Sequence, residues 1–184
     1  MRITTDIIPA VEALQNGGII AYPTEAVYGL GCDPLNQEAV LRLLVLKKRP
    51  VAKGLILIAA TWEQLVPYVE PVSTEVMAKV LSTWPGPFTW LFPVSPKTPD
   101  WIRGEHRTVA VRVTAHPIAC ALCSHFARPM VSTSANITGQ APARDADSVN
   151  KMFAMGVEVI VQGEVGGLLQ PTEIRDVVTG KILR

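Results

Sequence analysis

Short apolar runs alternate with longer amphipathic runs along this chain, and that alternation constrains its fold more than any other feature. Residues 55–59 are typical of a buried strand, whereas Val40 and the leucines of residues 37–47 recur at helical spacing. Strands that alternate with helices predict an α/β protein. The predicted helices cover residues 6–15, 37–47, 73–83, 117–127 and 145–154, the predicted strands cover 19–22, 55–59, 88–92, 108–113 and 157–161, residues 96–105 are a predicted loop, and residues 177–183 are a predicted hairpin.

Composition limits the classes of protein that this chain can belong to. Its 184 residues, 48% hydrophobic and 18% charged, suit one globular domain with a sizeable core, or at most two small ones. The net charge of +1 gives no global field for nucleic acid, although a local basic patch stays possible. No apolar run reaches the length of a membrane span and residues 1–6 lack a signal-peptide layout, so we expect a cytoplasmic protein.

Three cysteines leave little room for disulfide or metal chemistry. The odd count argues against a disulfide framework. Cys120 and Cys123 form a C-x-x-C near His125, but they lie in an apolar, helix-like stretch without a second ligand pair. Two small buried cysteines are therefore favoured over a metal or redox site.

Residues 132–136, Ser-Thr-Ser-Ala-Asn, follow a short apolar run and form the first candidate site. In an extended chain Ser132, Ser134 and Asn136 share one face, while Thr133 and Ala135 take the other. Such donors suit an anion at the carboxyl edge of a sheet, where ligands of α/β proteins bind. An ordinary turn that satisfies its own backbone has the same composition, so the segment alone leaves both interpretations open.

Two basic segments supply candidate charges for an anion. On the predicted strand 108–113, three valines take one face and Arg112 takes the other with Thr108 and Ala110, which fits either an edge strand or an Arg aimed into a cleft. Lys47-Lys48-Arg49-Pro50 ends the predicted helix 37–47. If this segment is extended, Lys47 and Arg49 point the same way toward an anion; otherwise it is a solvated helix end.

Two further segments are candidate binding loops. Residues 22–31 bring Thr24 and Glu25 to the edge of the sheet, with glycines that allow close backbone approach. Gly166 and Gly167 precede Thr172 in the second. Neither a dinucleotide fingerprint nor a Walker sequence occurs, and no catalytic triad or zinc spacing stands out. Several anion-binding donors without a nucleophile suit a reaction that needs charge neutralisation.

Together these segments resemble the YrdC/TsaC family of threonylcarbamoyl-AMP synthases in its short bacterial form. The resemblance implies a single YrdC-like domain over residues 1–184, with an open, twisted mixed sheet flanked by helices and a large basic concave cavity. Five blocks in the family's order carry it: YPTEAVYGLGC (22–32), LKKRP (46–50), WPGPFT (84–89), VAVR (109–112) and STSAN (132–136).

The resemblance also implies a reaction. A nucleotidyltransferase of this family joins L-threonine, bicarbonate and ATP, with Mg²⁺, into threonylcarbamoyl-AMP and pyrophosphate. The product serves the threonylcarbamoyladenosine modification of the adenosine next to the anticodon in tRNAs that read codons beginning with A. Proteins of the TsaB, TsaD and TsaE type complete that transfer, and no membrane partner is expected.

Site residues follow from the same resemblance, residue by residue. It implies a catalytic set around the triphosphate, further ATP contacts, and contacts to threonine in which Arg112 takes the carboxylate. Thr24 stands in for a contact that longer members often make with a Thr at the position of Ala26. The implied residues are Lys47, Arg49, Ser134 and Asn136 for catalysis, these four with Lys53, Thr108 and Arg184 for ATP, and Thr24, Arg112, Ser132 and Thr172 for threonine.

An alternative from another class is an RNA-binding module that acts in tRNA or rRNA maturation through the same basic cavity. The cluster of residues 47–49 and the four tryptophans favour it. The balanced charge and the lack of a recognisable RNA motif count against it, so direct tRNA binding is expected to be weak at most.

Overall fold

One mixed sheet of nine strands organises the computed structural model, which describes residues 1–170 and 172–183. From one edge to the other the strand order is β1-β8-β2-β3-β7-β4-β6-β5-β9. The strands are β1 (Arg2–Thr4), β2 (Ile20–Pro23), β3 (Tyr28–Gly31), β4 (Ile56–Ala59), β5 (Phe88–Pro93), β6 (Thr108–Val113), β7 (Met130–Ser134), β8 (Val159–Val161) and β9 (Glu173–Asp176).

Helices cover both faces of this sheet, as the alternating pattern predicts for an α/β protein. Neighbouring residues of β2 divide between two apolar clusters, Ile20 into one and Ala21 into the other, because successive side chains of a strand point to opposite faces. Helices α1 and α6 pack in the first cluster, and α2 and α7 pack in the second. The helices are α1 (Ile8–Gln15), α2 (Gln37–Leu46), α3 (Trp62–Leu65), α4 (Thr74–Leu81), α5 (Asp100–Arg103), α6 (Pro117–Phe126) and α7 (Ala146–Phe153).

Helix α2 begins and ends where its sequence indicates. The side chain of Asn36 accepts a hydrogen bond from the Ala39 amide at 3.0 Å, which satisfies one free donor of the first turn. Ala39, Val40, Leu43 and Leu44 are buried on one side. The helix ends at Leu46, so the basic residues 47–49 leave it as a turn above the sheet.

Several segments differ from the sequence-based expectation, among them β1, α3 and β9, which were not predicted. Strand β3 falls in a stretch predicted as a loop, because two glycines in four residues hide its strand character, yet it pairs with β2 and β7. The predicted loop 96–105 contains α5, whose single turn is too short to show a period. The predicted hairpin is displaced: residues 177–179 turn, and β9 pairs through Arg175 with Ile182.

The middle of the sheet brings distant segments side by side. Strand β7 is antiparallel to both β3 and β4, with Ser134 opposite Gly29 and Ser132 opposite Ile56. Strand β4 is parallel to β6 and pairs Ile58 with Arg112. The Ser132–Asn136 segment and the Arg112 strand therefore flank the same central strand. Within residues 1–170 and 172–183, no helix has both the length and the apolar character that a membrane crossing requires.

Candidate functional site

A cavity of about 460 Å³ lies over the middle of the sheet. Its described lining includes the cations Arg49, Lys53, Arg103 and Arg112 and contains no Asp or Glu. Side chains and backbone from β3, β4, β6 and β7 form its floor. The sheet therefore presents a basic concavity, as the resemblance implied.

Strand β6 divides its side chains between the cavity and the core. Thr108, Ala110 and Arg112 line the cavity, whereas Val109, Val111 and Val113 are buried in the core. The split between two faces predicted from the period of two is confirmed. Of the two interpretations left open for Arg112, the structure has the cleft, because this side chain is only 4% exposed and borders the cavity.

Arg112 is held by three partners. Its Nη1 donates to the Thr172 hydroxyl at 2.7 Å and to the Thr89 hydroxyl at 3.3 Å. Its Nη2 lies 3.3 Å from Oε2 of Glu25 in a buried ion pair. The Nε group of Arg112 has no hydrogen-bond partner among residues 1–170 and 172–183. The guanidinium is thus fixed in place, with its Nε donor buried and unpaired within the described part of the chain.

Hydrogen bonds hold Glu25 to the residues that directly follow the Arg112 strand. Its Oε1 accepts hydrogen bonds from the Thr114 hydroxyl at 2.7 Å and from the Ala115 amide at 3.3 Å. Burial alone would raise the pKa of Glu25, but the charge of Arg112 and these hydrogen bonds outweigh it and hold the pKa below its usual range. Glu25 is therefore an ionised carboxylate directly behind Arg112.

The loop 163–170 packs across the turn that contains Thr24 and Glu25. The amide of Gly166 donates to the Thr24 carbonyl at 2.9 Å, and the amide of Leu168 donates to the Glu25 carbonyl at 3.2 Å. A side chain at Gly166 would begin only 2.5 Å from that same carbonyl of Glu25, so glycine permits the approach. The two candidate binding loops thus support each other.

The Ser132–Asn136 segment lines the cavity and also satisfies itself. Ser132, Ser134 and Asn136 border the cavity, and Ala135 is fully buried behind it. The Ser134 hydroxyl donates to Oδ1 of Asn136 at 2.6 Å. Thr133 was predicted to face the packing, but it also borders the cavity, because β7 ends here and the alternation of faces weakens. The cavity and turn interpretations are therefore compatible.

Lys47 lies beneath this segment and binds its backbone. The Lys47 ammonium donates to the carbonyls of Ser134 and Asn136, the latter at 2.8 Å, and its side chain is buried. Burial, together with the smaller effect of the like charge of Arg49, lowers the pKa of Lys47 to about 8. Lys47 thus holds the loop through neutral acceptors.

Arg49 takes a different direction from Lys47. The extended conformation considered for residues 47–49 is not found, because Lys48 is left-handed with φ of 50° and turns the chain between them. The guanidinium of Arg49 borders the cavity and donates to the Gly54 carbonyl at 2.9 Å and to the Lys53 carbonyl at 3.3 Å. No carboxylate pairs with it in the described part of the chain.

Most of the residues that sequence reasoning selected meet in this one cavity. Lys47 is set back behind the loop, and Arg184 lies outside the described residues. The catalytic and binding roles assigned to all the selected residues stay predictions. The selected residues that line the cavity are Thr24, Arg49, Lys53, Thr108, Arg112, Ser132, Ser134, Asn136 and Thr172.

Sequence reasoning missed several partners. It noted Glu25 only at a sheet edge and gave no role to Thr89, although Thr89 ends the ordered block 84–89. It assigned nothing to Thr114, whose isolated hydroxyl carries no recognisable pattern. Arg103 and His106 also border the cavity, next to a wall of aliphatic side chains. The position of Glu25 within the ordered block 22–32 was the one signal that could have found it.

The cysteines and acidic residues provide no metal centre in the described part of the chain. No group of three or more His, Cys, Asp or Glu could hold a metal ion there. Cys123 is buried, with its thiol directed at the Ile58 carbonyl at 3.5 Å, and Cys120 is half-buried. The prediction of two buried cysteines is confirmed for Cys123, whereas Cys120 is more exposed than predicted.

Comparisons with known proteins agree over the whole chain. The family model Sua5/YciO/YrdC, described as "Telomere recombination", matches residues 12–184. A Coxiella burnetii protein named Threonylcarbamoyl-AMP synthase is 52% identical over 181 residues, which cover 98% of this chain and 97% of the relative. A Xanthomonas campestris protein of the same name is 48% identical over 186 residues and covers both chains fully.

Solved structures give the same fold. P. abyssi Sua5 in complex with L-threonine superposes with a TM-score of 0.90 at 32% identity and covers all of this chain. This chain spans 56% of that longer Sua5 chain. E. coli YciO superposes with a TM-score of 0.83 at 28% identity, covering 100% of this chain and 93% of YciO.

Proposed function

Because the chain belongs to the Sua5/YciO/YrdC family, we propose that it is a nucleotidyltransferase that makes threonylcarbamoyl-AMP and pyrophosphate from L-threonine, bicarbonate and ATP. The observation that carries this proposal is the nearly complete overlap, at 52% identity, with a relative named for that activity. In the same proposal the product serves threonylcarbamoyladenosine formation in tRNA in the cytoplasm, with proteins of the TsaB, TsaD and TsaE type acting downstream.

The chemistry of the reaction fits a site that lacks a nucleophile. The threonine amine and bicarbonate combine into a carbamate and water, and a carbamate oxygen attacks the α-phosphorus of ATP while pyrophosphate leaves. The attacking oxygen is already anionic, so the protein has to hold the reactants together and stabilise the charge that moves to pyrophosphate. A cavity whose described lining has four Lys and Arg side chains and no carboxylate suits that task.

Two regions of the cavity divide the substrates in this proposal. In the first, Arg49, Lys53, Ser134 and Asn136 contact the triphosphate, with Lys47 beneath the loop. The Arg49 and Lys53 side chains have no carboxylate partner among the described residues, so their charge is available to phosphate.

The second region takes L-threonine. The charge of Arg112, which borders the cavity, attracts the threonine carboxylate, and Thr24, Ser132 and Thr172 line the same cavity. The P. abyssi relative of the same fold was solved with L-threonine, which supports an amino acid as a substrate. Thr108 is assigned to the nucleotide, next to the aliphatic wall.

Magnesium enters this proposal together with ATP. The described lining offers hydroxyl and amide oxygens but no carboxylate, so it does not form a protein cage for the ion. Mg²⁺ commonly reaches protein sites on substrate phosphates, and MgATP is therefore the proposed substrate. When bound, the ion neutralises phosphate charge, and the side chains position the nucleotide.

Pyrophosphate release tests the proposed activity. Folded protein with MgATP, L-threonine and bicarbonate should release pyrophosphate only when all three substrates are present. Release that does not depend on threonine and bicarbonate, or no release, would contradict the proposal. Salt-dependent, sub-micromolar RNA binding without ATP turnover would instead support the RNA-binding alternative.

A further inference from the structure

Among residues 1–170 and 172–183, two carboxylates pair with a cation of the cavity lining without belonging to that lining, and only that of Glu25 is buried. Its side chain is 9% exposed and lies 3.3 Å from Arg112. The carboxylate of Asp100 pairs with Arg103, another lining cation, but that carboxylate is 82% exposed to water. The Glu25–Arg112 pair is thus the buried ion pair of the site. Because burying two charges costs desolvation energy, its presence is not explained by stability alone.

Charge is distributed unequally between the two regions of the cavity. The Arg49 guanidinium is bound by neutral carbonyls of Lys53 and Gly54, and so it keeps an uncompensated positive charge. The Arg112 guanidinium is offset by a carboxylate whose pKa lies below its usual range. One region therefore attracts anions strongly, whereas the other is close to neutral.

This difference matters because both substrates carry anionic groups. A guanidinium fork binds phosphate as readily as carboxylate. Without an offsetting charge, Arg112 would attract a phosphate of ATP or the released pyrophosphate and exclude the amino acid. L-threonine approaches as a zwitterion without net charge. When the region around Arg112 is neutral, L-threonine therefore loses less binding free energy than phosphate does.

We propose that Glu25 is a positioning and specificity-determining residue: it balances the charge of Arg112 so that this region accepts a zwitterionic amino acid and rejects phosphate. It acts through Arg112 rather than by touching the substrate, since it does not belong to the described lining. The proposal rests on the proposed function, which assigns threonine to Arg112.

The geometry also explains how Glu25 keeps its position. Thr114 and Ala115 fix its Oε1, and its backbone carbonyl accepts from Leu168 in the loop that precedes Thr172. Thr172 in turn accepts from Arg112 at 2.7 Å. Because each member contacts the next, the carboxylate cannot withdraw from the guanidinium without disturbing the loop.

Calorimetric titration of L-threonine with and without inorganic phosphate tests this proposal without requiring turnover. In the wild-type protein, phosphate should leave the Kd of L-threonine unchanged while it competes with ATP. In Glu25→Gln, which keeps the shape and removes the charge, phosphate should raise the apparent Kd of L-threonine at least about tenfold. Glu25→Asp keeps the charge and should exclude phosphate as the wild type does.

Glu158→Gln is the matched control, because Glu158 also pairs with an arginine, Arg42 at 3.6 Å, but lies outside the cavity. It should respond to phosphate as the wild type does. Phosphate competition of equal strength in Glu25→Gln and the wild type would overturn the proposal, and so would a folded Glu25→Gln that no longer binds L-threonine at all.

Two outcomes do not depend on whether Glu25→Gln folds. Phosphate that competes with L-threonine in the wild type as strongly as with ATP would overturn the charge-balance proposal alone. A wild-type protein that does not bind L-threonine would instead contradict the proposed function, and the inference would fall with it. Circular dichroism melts of every variant establish that the folded protein is being titrated.

Discussion

Lys47 and Arg112 are both buried cations next to the same cavity, but they are stabilised in different ways. Lys47 donates to backbone carbonyls at the end of β7, whereas Arg112 faces the carboxylate of Glu25. Neutral acceptors satisfy hydrogen bonds without cancelling charge, so burial lowers the pKa of Lys47 to about 8. A paired arginine is electrically balanced. Hydrogen bonding and charge compensation are therefore separate properties of a buried cation.

The two arrangements also differ in the parts of the fold that supply them. Lys47 and Arg49 leave the end of α2 and reach their partners through a turn with a left-handed residue at Lys48. Arg112 sits in the middle of the sheet, on a strand paired on both sides. A loop can readjust around phosphate, whereas a central strand holds its side chain in one position.

The largest effect is expected from removing the uncompensated charge. Arg49→Ala and Lys47→Ala should each lower kcat/KM for ATP at least about 100-fold, as loss of a transition-state charge contact typically does. Steady-state pyrophosphate release measures this. Lys48→Ala is the control, since Lys48 is exposed and carries the same charge. Full activity in Arg49→Ala would contradict the proposed difference between the uncompensated charge of Arg49 and the balanced charge of Arg112.

Removing the balanced charge of Arg112 should lower the stability of the protein and weaken the binding of one substrate, L-threonine. Arg112→Met leaves Glu25 buried without its partner and should lower the free energy of unfolding by about 3–5 kcal/mol. The KM of L-threonine should rise far more than that of ATP. Denaturant melts and initial rates measure the two effects.

A double variant separates these effects. Arg112→Met with Glu25→Gln removes both charges, so it should recover much of the lost stability without recovering threonine binding. An equal loss of stability in the single and double variants would show that the ion pair is not what stabilises this part of the sheet.

The pH dependence of the reaction should report Lys47. Its ammonium is charged below a pKa of about 8 and neutral above it, so kcat/KM for ATP should fall about tenfold per pH unit on the alkaline side. The ordinary pKa of a lysine, 10.5, is higher. Between these two pKa values the unfolded chain therefore binds more protons, and the Lys47 contribution to the free energy of unfolding rises with pH.

Rates measured at saturating L-threonine and bicarbonate give this profile. In Lys47→Arg the alkaline limb should move to higher pH, since a guanidinium keeps its proton. A limb near pH 8 that persists unchanged in Lys47→Arg would assign the titration to another group.

The smallest effect is expected from one hydroxyl of the Arg112 region. Thr172→Val keeps the shape but removes the acceptor 2.7 Å from Nη1 of Arg112, which should weaken L-threonine binding by about 1 kcal/mol, roughly fivefold. Calorimetric titration measures it, and ATP affinity should stay the same. A larger loss than in Arg112→Met would mean that the hydroxyl, and not the guanidinium, dominates this region.

Sequence patterns predicted the elements with a clear period and missed the others. Strand β6 was predicted with its bounds and faces, because a period of two over six residues is unambiguous. Strand β3 was missed, since two of its four residues are glycines and its strand character comes from pairing on both sides. Helix α5 was missed, because one turn cannot show a helical period.

Local sequence patterns established which chemistry is available: an α/β alternation, an arginine among small side chains, a basic turn and a run of hydroxyls, in an order that identifies the family. Which of these groups meet, and which charges cancel, depends on the folded arrangement of the strands. Glu25 and Arg112 are 87 positions apart, and no local pattern encodes a contact at 3.3 Å between them. Local periodicity fixes the face of a side chain, but charge compensation depends on strand order.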